Sequence, residues 1–487
     1  SGMNRELKRV TIVILAMFAA LFLSVTTIQF FSADALANDS RNARTIYASY
    51  SKQRGPILVQ GQPIAQSVPS TDQYKYQRTY TNGPLYSAVT GYYTLDQGSS
   101  GIESALNDEL AGTSGSQFLS QLNSIVTGQN PQGASVELTI DPKVQQAAYD
   151  ALGSQQGAVI AVDPKTGRIL AMVSKPDYDP NALAVHDTEQ VISTYNALNT
   201  DPSQPLINRT LAGNLDPPGS TFKIVTSSAA LQNAKLPGDT QLPNLAGYQL
   251  PGSTNVVSNA GGGTCGPGAT VSIETAFVLS CNIPMAELGV MIGQKNLTDM
   301  ASAYGYNSGF DSPIPVEASQ FPPLKDDPAQ LALSSFGQAN VRSSPMQIVE
   351  QSMAVANGGV VLQPNLVDTI SAPDLTVLQQ FQPKTLNTPI TSITASTLSA
   401  WMVEAVNSGA ATNARIDGVS VAGKTGTAEN GAGDPYTLWF TGFAPADNPQ
   451  VAVAVVVQNG GGLGESGTGN DVAAPIAKKV LEAVLNK

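Results

Sequence analysis

Ala158-Val159-Ile160-Ala161-Val162-Asp163-Pro164-Lys165-Thr166-Gly167-Arg168-Ile169-Leu170-Ala171-Met172-Val173-Ser174 is the stretch that decides the architecture. Its two apolar runs, 158–162 and 169–174, read as strands, and residues 163–167 join them as a hairpin with glycine in the turn. Just upstream, residues 141–152 read as a helix, with Asp141 as cap and Pro142 in the first turn. Downstream lies a long helix-rich middle, after which the chain returns to strands at 420–424, 437–443 and 451–458. A last helix covers 472–485. Strands at both ends of this region with helices between them predict one mainly antiparallel sheet covered by helices, an α/β (α+β) class. Residues 34–135 differ. They are rich in Ser, Gln, Asn, Gly and Tyr and broken by glycine and proline, and read as a small module with long loops. Alternating stretches at 45–50 and 57–59 predict strands there, and a helix is expected at 116–126 with Phe118, Leu119, Leu122 and Val126 on one face.

Composition narrows the chemistry. Of the 487 residues only 13% are charged, about half the roughly 25% usual for soluble proteins. There is one histidine, His186, and there are two cysteines, Cys265 and Cys281. A His-rich metal site and a four-thiolate zinc or iron–sulfur site are therefore out of reach. The net charge of −12 argues against a nucleic-acid partner, which needs a basic surface. His186 reads as an ordinary surface or linker histidine. Catalysis must run on Ser, Thr, Lys, Tyr or carboxylates.

Ser1-Gly2 ahead of Met3 reads as an expression scar. Arg5, Lys8 and Arg9 then precede an apolar run at 10–31. At about 1.5 Å per residue it spans roughly 33 Å, enough for a membrane core of about 30 Å. The flanking charges put residues 1–9 in the cytoplasm and the body outside. An uncleaved anchor is the main reading; Ala35-Leu36-Ala37 also fits a signal-peptidase pattern, and either way the body is exported. In an exported protein Cys265 and Cys281, 16 positions apart (265 to 281), are expected to pair, which would contribute about 3 kcal/mol. Two separate buried thiols are the alternative.

Three short motifs carry the chemistry. In Pro217-Pro218-Gly219-Ser220-Thr221-Phe222-Lys223 a turn leads into a helix that begins at or near Ser220. That places the hydroxyl at the positive end of the helix and Lys223 on the same face. Lys223 can act as a base only when neutral, through desolvation or a second nearby cation. Ser280-Cys281-Asn282 sits at a break between two helices and offers a hydroxyl and an amide. Lys424-Thr425-Gly426-Thr427 lies in a strand, where a lysine, two hydroxyls and a side-chain-free glycine suit the close approach of a carboxylate. Decoys exist. Ser49-Tyr50-Ser51-Lys52 reads as solvated loop, Lys165-Thr166-Gly167 as hairpin turn, and the glycine-rich stretches 261–266 and 462–467 as flexible loops.

The order S-x-x-K, S-x-N, K-T-G resembles penicillin-interacting serine acyltransferases. Further stretches sharpen the likeness: Leu206-Ile207-Asn208-Arg209, Phe336-Gly337-Gln338, Ser344-Pro345-Met346-Gln347, Ala356-Asn357-Gly358-Gly359, and Trp439-Phe440-Thr441-Gly442-Phe443-Ala444-Pro445. With Arg54-Gly55-Pro56-Ile57, Gly101-Ile102-Glu103 and Leu110-Ala111-Gly112 in the N-terminal part, the whole resembles class B penicillin-binding proteins, especially the short actinobacterial penicillin-binding protein A type. Val59-Gln60-Gly61-Gln62 departs from the D-R-N-G stretch of many relatives.

The resemblance implies a membrane-anchored D,D-transpeptidase with an anchor at 10–31, a pedestal or dimerisation-like module at 34–135, and a penicillin-binding transpeptidase domain at 136–487. It implies that Ser220 attacks D-Ala-D-Ala while Lys223 takes the proton and Ser280 relays one to the leaving amine. Asn282 would hold the substrate amide, and Lys424, Thr425 and Thr427 the terminal carboxylate beside Gly426. Backbone N–H groups of Ser220 and Thr427 would form the oxyanion hole. The implied partners are peptidoglycan stem peptides, β-lactams, the cell membrane and a polytopic membrane glycan polymerase; no metal or organic cofactor is implied. A D,D-carboxypeptidase, a serine β-lactamase, a β-lactam sensor and a silent scaffold remain as alternatives. The short segment before the apolar run leaves little room for a sensor's signalling part, and the complete Ser-Lys-Lys set argues against silence.

Overall fold

The structure, a computed structural model, describes residues 3–33, 48, 50–213 and 215–487. Its two larger sheets use strands β1 (Ile57–Val59), β2 (Gln62–Pro69), β3 (Tyr76–Tyr80), β4 (Ser135–Leu138), β5 (Gly157–Val162), β6 (Ile169–Lys175), β7 (Val367–Ser371), β8 (Val377–Gln380), β9 (Ala422–Ala428), β10 (Thr437–Ala444) and β11 (Val451–Val457). The principal helices are α1 (Met3–Thr26), α2 (Phe118–Thr127), α3 (Pro142–Leu152), α4 (Lys223–Ser228), α5 (Ile273–Val278), α6 (Asn282–Ala303), α7 (Pro345–Ala356), α8 (Ser392–Ser408) and α9 (Ala474–Leu485).

The quoted hairpin is the edge of a five-stranded antiparallel sheet ordered β9-β10-β11-β5-β6. Asp163 accepts from the Lys165 N–H inside the turn, and Gly167 supplies the positive φ of +86° that closes it. Every residue of β5, β10 and β11 is buried, because the sheet is covered on both faces and such strands need apolar side chains on both. Leu438, Phe440 and Val455 pack with α3, α8 and α9. Trp439, Phe443 and Ala454 turn to the other face, toward α7 and the nucleophile-bearing segment. Asp141 caps α3 by accepting from Lys143 and Val144. The strand expected at 420–424 begins two residues later and runs on through Ala428, since Lys424–Ala428 pair residue for residue with Thr441–Thr437 of β10.

The N-terminal module is built around a six-stranded sheet, β8-β7-β4-β1-β2-β3. Two of its strands, β7 and β8, come from residues 367–380, and β4 lies on the boundary the sequence reading drew at 135/136. Its centre holds an ion cluster in which Glu103 accepts from Arg54 at 2.6 Å and from Arg78 at 2.7 Å, with all three side chains at most 4% exposed. The predicted apolar face of α2 is present but turned to solvent, with Leu119 76% and Val126 79% exposed. His186 is not the surface histidine expected. Its ring packs between Tyr50 and Tyr74 at 5.6 and 4.8 Å between centroids, with Nδ1 against the Asp72 carboxylate. That contact ties the segment after β6 to the N-terminal module. Ser49 of the first decoy, residues 34–47 with Ala35-Leu36-Ala37, and with them most of the alternating stretch at 45–50 lie outside the described residues. The apolar run Leu7–Phe31 is helical, with mean hydropathy 2.4 and no burial of its most apolar window among the described residues, and is long enough to cross a membrane.

Candidate active site

The turn that carries Ser220 is held from three sides. Pro217 and Pro218 deliver the chain to Gly219, whose φ of +54° starts a 3₁₀ turn over Gly219–Phe222 that passes straight into α4. From β10, the Trp439 indole N–H donates to the Pro217 carbonyl at 2.9 Å. From α7, the Gln351 amide donates to the Thr221 carbonyl at 3.0 Å. The Gly219 N–H donates to the Gly337 carbonyl at 3.1 Å, and a Cβ on Gly337 would lie 2.0 Å from the Gly219 oxygen. On β9, a Cβ on Gly426 would meet the Pro218 oxygen at 2.9 Å and the Thr221 methyl at 3.1 Å. The sequence reading gave Gly426 to a substrate carboxylate; in the structure the space it leaves is filled by the nucleophile's own turn. Ser220 emerges 8% exposed.

Two lysines are buried beside it. Lys223 is fully buried and Lys424 is 1% exposed. The Lys223 amine donates to the Ser280 carbonyl and to Asn282 Oδ1, both at 2.9 Å, and lies 3.4 Å from Ser280 Oγ. The Lys424 amine donates to Ser280 Oγ at 2.7 Å and to the Thr425 carbonyl at 3.0 Å. One hydroxyl therefore stands between two amines. Neither amine has an acidic partner among the described residues. Burial, and then the neighbouring Lys424, hold the Lys223 amine well below the ordinary lysine value. Burial brings Lys424 down to about 7. A neutral amine has two N–H donors and one lone pair. When neutral, the Lys223 amine would give its two donors to the oxygens at 2.9 Å and keep its lone pair for an incoming proton.

Ser280 occupies the break between α5 and α6 with φ of +58°, a conformation uncommon outside glycine. The next residue, Cys281, is bonded to Cys265 with a Cα–Cα distance of 5.8 Å, so the paired reading of the two cysteines holds. Asn282 starts α6; the buried Asn259 steadies that start by accepting from the Ile283 N–H at 2.9 Å. The two threonines of β9 differ. Thr425 donates its hydroxyl proton to the Ala410 carbonyl at 3.2 Å, while Thr427 accepts from the Gly469 N–H at 3.1 Å and keeps its own proton to give. Lys223, Ser280, Asn282 and Lys424 are thus joined by hydrogen bonds, and the Ser220 turn packs on the strand that carries Lys424 and residues 425–427. Lys165-Thr166-Gly167 stays in the β5–β6 turn. The sequence reading gave no role to Trp439, Gln351, Gly337 or Asn259. Trp439 and Gly337 lie inside stretches it had marked as family-like, which was the available signal.

Comparisons with known proteins agree with this geometry. Residues 157–482 match the family model for the penicillin binding protein transpeptidase domain, and residues 54–136 match that for the penicillin binding protein A dimerisation domain. Peptidoglycan D,D-transpeptidase PbpA of Mycolicibacterium smegmatis is 40% identical over 494 aligned residues, covering 100% of each chain. Its namesake in Mycobacterium tuberculosis is 39% identical, with 99% of each chain covered. The solved ceftriaxone acyl-enzyme complex of penicillin-binding protein A from M. tuberculosis superposes with a TM-score of 0.86 at 39% identity, covering 90% of this chain and 100% of that one. The imipenem acyl-enzyme complex of the same protein gives 0.85 at 39% identity, covering 90% and 99%.

Proposed function

The chain belongs to the penicillin-binding protein transpeptidase family, and we propose that it cross-links peptidoglycan stem peptides through an acyl-enzyme on Ser220. The observation that carries this is the buried, doubly anchored Lys223 amine, held well below the ordinary lysine value by burial and the neighbouring Lys424, three residues from a serine held on a clamped turn. Ser220 Oγ attacks the penultimate D-Ala carbonyl and its proton passes to the Lys223 lone pair. The tetrahedral oxyanion is met by the Ser220 and Thr427 backbone N–H groups. Collapse breaks the D-Ala-D-Ala amide. Ser280, hydrogen-bonded to Lys424 and 3.4 Å from Lys223, passes a proton to the departing amine. The amine of a second stem peptide then attacks the ester and regenerates Ser220. Lys424 and the free proton of Thr427 suit the terminal carboxylate, with Thr425 holding the strand and Asn282 the substrate amide. β-Lactams acylate Ser220 by the same first half, as the acyl-enzyme complexes of the M. tuberculosis relative exemplify.

The apolar run at 10–31 is read as a single anchor, with Arg5, Lys8 and Arg9 in the cytoplasm and the catalytic domain outside. Residues 34–135 form the pedestal and 136–487 the transpeptidase domain, with β7 and β8 lent to the pedestal sheet. A polytopic membrane glycan polymerase is the partner that the family resemblance implies. Labelled penicillin is expected to acylate the protein and to fail on Ser220→Ala of unchanged melting temperature; a folded wild type that takes no label overturns the assignment. Given polymerised, uncross-linked peptidoglycan, the enzyme is expected to yield cross-linked dimers. Released D-Ala without dimers makes it a carboxypeptidase instead.

A further inference from the structure

Beyond the far end of β9 the structure holds a polar cavity of about 290 Å³ that the reaction described above does not use. Its walls include Arg209, Asp216, Asn430, Thr437 and Gln458. Asp216 directly precedes the Pro217-Pro218 turn of the nucleophile. Its carboxylate accepts from the Gln458 amide at 2.8 Å and from the Thr437 hydroxyl at 3.4 Å. The Arg209 side chain, 7% exposed, donates to Gln458 Oε1 at 3.1 Å and to the carbonyls of Gln204 and Ser203. That uses three of its five N–H donors. Although the two charges face one cavity, no ion pair within 4 Å joins them among the described residues. Each therefore keeps hydrogen-bonding capacity for a ligand group. Burial pushes the Asp216 carboxyl up from its ordinary value, against the opposing pull of its hydrogen bonds from Gln458 and Thr437 and of the Arg209 and Arg342 charges.

The position matters as much as the charges. β9 is the edge strand of its sheet, and an extended peptide adds naturally to such an edge. With the terminal carboxylate at Lys424 and Thr427 and the scissile carbonyl at Ser220, the rest of the donor stem runs on past Ala428 toward Asn430. From Thr427 to Asn430 is about 10 Å of extended chain, room for the residue just upstream of the scissile D-Ala to reach the cavity with its side chain. The acyl acceptor is an amine borne by a stem peptide. Donor and acceptor stems are chemically alike, so the donor carries that amine too.

We propose that the cavity bounded by Asp216 and Arg209 is a specificity subsite for the amine-bearing side chain of the donor stem, with Asp216 taking the ammonium group and Arg209 a carboxylate on the same carbon. The inference rests on the Ser220 transpeptidase reading and adds to it which donor is preferred. The full-length protein in detergent is given synthetic stem donors that differ only at that residue: diaminopimelate, lysine or norleucine. Acylation by imipenem, which has no such side chain, serves as the control. The expected order is diaminopimelate, lysine, norleucine, with norleucine about tenfold or more poorer in kcat/KM than lysine. Asp216→Asn is expected to bring lysine down to the norleucine level while leaving norleucine and imipenem unchanged. Equal rates for all three donors overturn the proposal, and so does an Asp216→Asn enzyme that slows imipenem as much as the peptides, since that marks a merely structural carboxylate. Equal rates for lysine and diaminopimelate strike Arg209 from it. A wild type that imipenem does not acylate overturns the Ser220 reading beneath it.

Discussion

Two of the places where the molecule buries cations treat them in opposite ways. In the N-terminal module Arg54 and Arg78 close on Glu103, with Arg54 also stacked 4.0 Å over the Tyr93 ring. There the two guanidinium groups hold the Glu103 carboxyl below its ordinary value although burial alone would raise it. In the cleft Lys223 and Lys424 are equally buried but are given only a hydroxyl, an amide oxygen and carbonyls, and both fall. Burial penalises charge in either setting; the counter-ion decides whether the charge survives. Arginine, effectively always protonated, suits the first arrangement, and lysine, whose proton can be removed, suits the second. One cluster fixes a shape and the other supplies a base.

The largest effect expected from breaking this contrast is at Lys223. Lys223→Met should lower the second-order rate of penicillin acylation by about 10³-fold without lowering the melting temperature, because an amine buried at a desolvation cost is being removed. The wild-type rate should rise with pH through a group titrating well below 10.5, since only the neutral amine accepts the Ser220 proton. A profile that waits for an ordinary lysine sinks the base assignment. Stability should show the same sign. The unfolded chain binds more protons than the folded one between the lowered folded values and 10.5, so the lysines make stability rise with pH from about 7 upward.

Glu103→Gln attacks the other cluster and should cost about 3–5 kcal/mol in denaturant unfolding by leaving two buried guanidinium groups unpaired. Its sign with pH is opposite to that of a raised group. The folded carboxyl is depressed from 4.5, so its contribution is complete above that value and is lost as pH falls through the folded one. Acylation per folded molecule should be unchanged. A variant that stays fully stable but acylates slowly would dissolve the distinction between the two clusters. Next in size is Cys265→Ser with Cys281→Ser, expected to lose about 3 kcal/mol on loop entropy. It should also slow acylation several-fold, measured with the same label, because Ser280 in its left-handed conformation would no longer be pinned by its neighbour.

Sequence made the catalytic cluster far more legible than the structural one. Ser220–Lys223 and Lys424–Thr427 are local motifs on a helix start and a strand, set apart from decoys of the same spacing by their order and the family resemblance, and the apolar runs of β5 and β11 announce a sheet covered on both faces. Ser280-Cys281-Asn282 could be singled out only because Cys281 had a partner to bond. What stayed hidden is non-local. Nothing in residues 367–380 says that they complete a sheet begun three hundred residues earlier, because strand pairing is written in neither partner alone. His186 looked idle for the same reason: Tyr50, Tyr74 and Asp72 are brought to it by the fold. Gly426 stands out in the sequence for its missing side chain, but only the fold shows that the Ser220 turn packs into the space it leaves.

The smallest predicted effect tests whether that turn is part of the catalytic cluster or of the scaffold. Trp439 is fully buried, and its indole N–H is the hydrogen bond given to the Pro217 carbonyl. Trp439→Phe keeps an aromatic ring in the core but leaves that carbonyl without its donor, a loss of about 1 kcal/mol. If the turn's placement matters to chemistry, acylation should fall by about two- to tenfold with a melting temperature lowered only a few degrees, and Trp439→Phe combined with Glu103→Gln should show additive losses, each confined to its own readout. The Ser220 turn would then behave as an extension of the lysine pair, held by β10 and α7 but answerable to the reaction. A Trp439→Phe enzyme that acylates at the wild-type rate would mean that Gly337, Gly426 and Gln351 hold the turn without the indole, and the boundary between the two kinds of buried polar cluster would move inward, to Lys223, Lys424 and Ser280 alone.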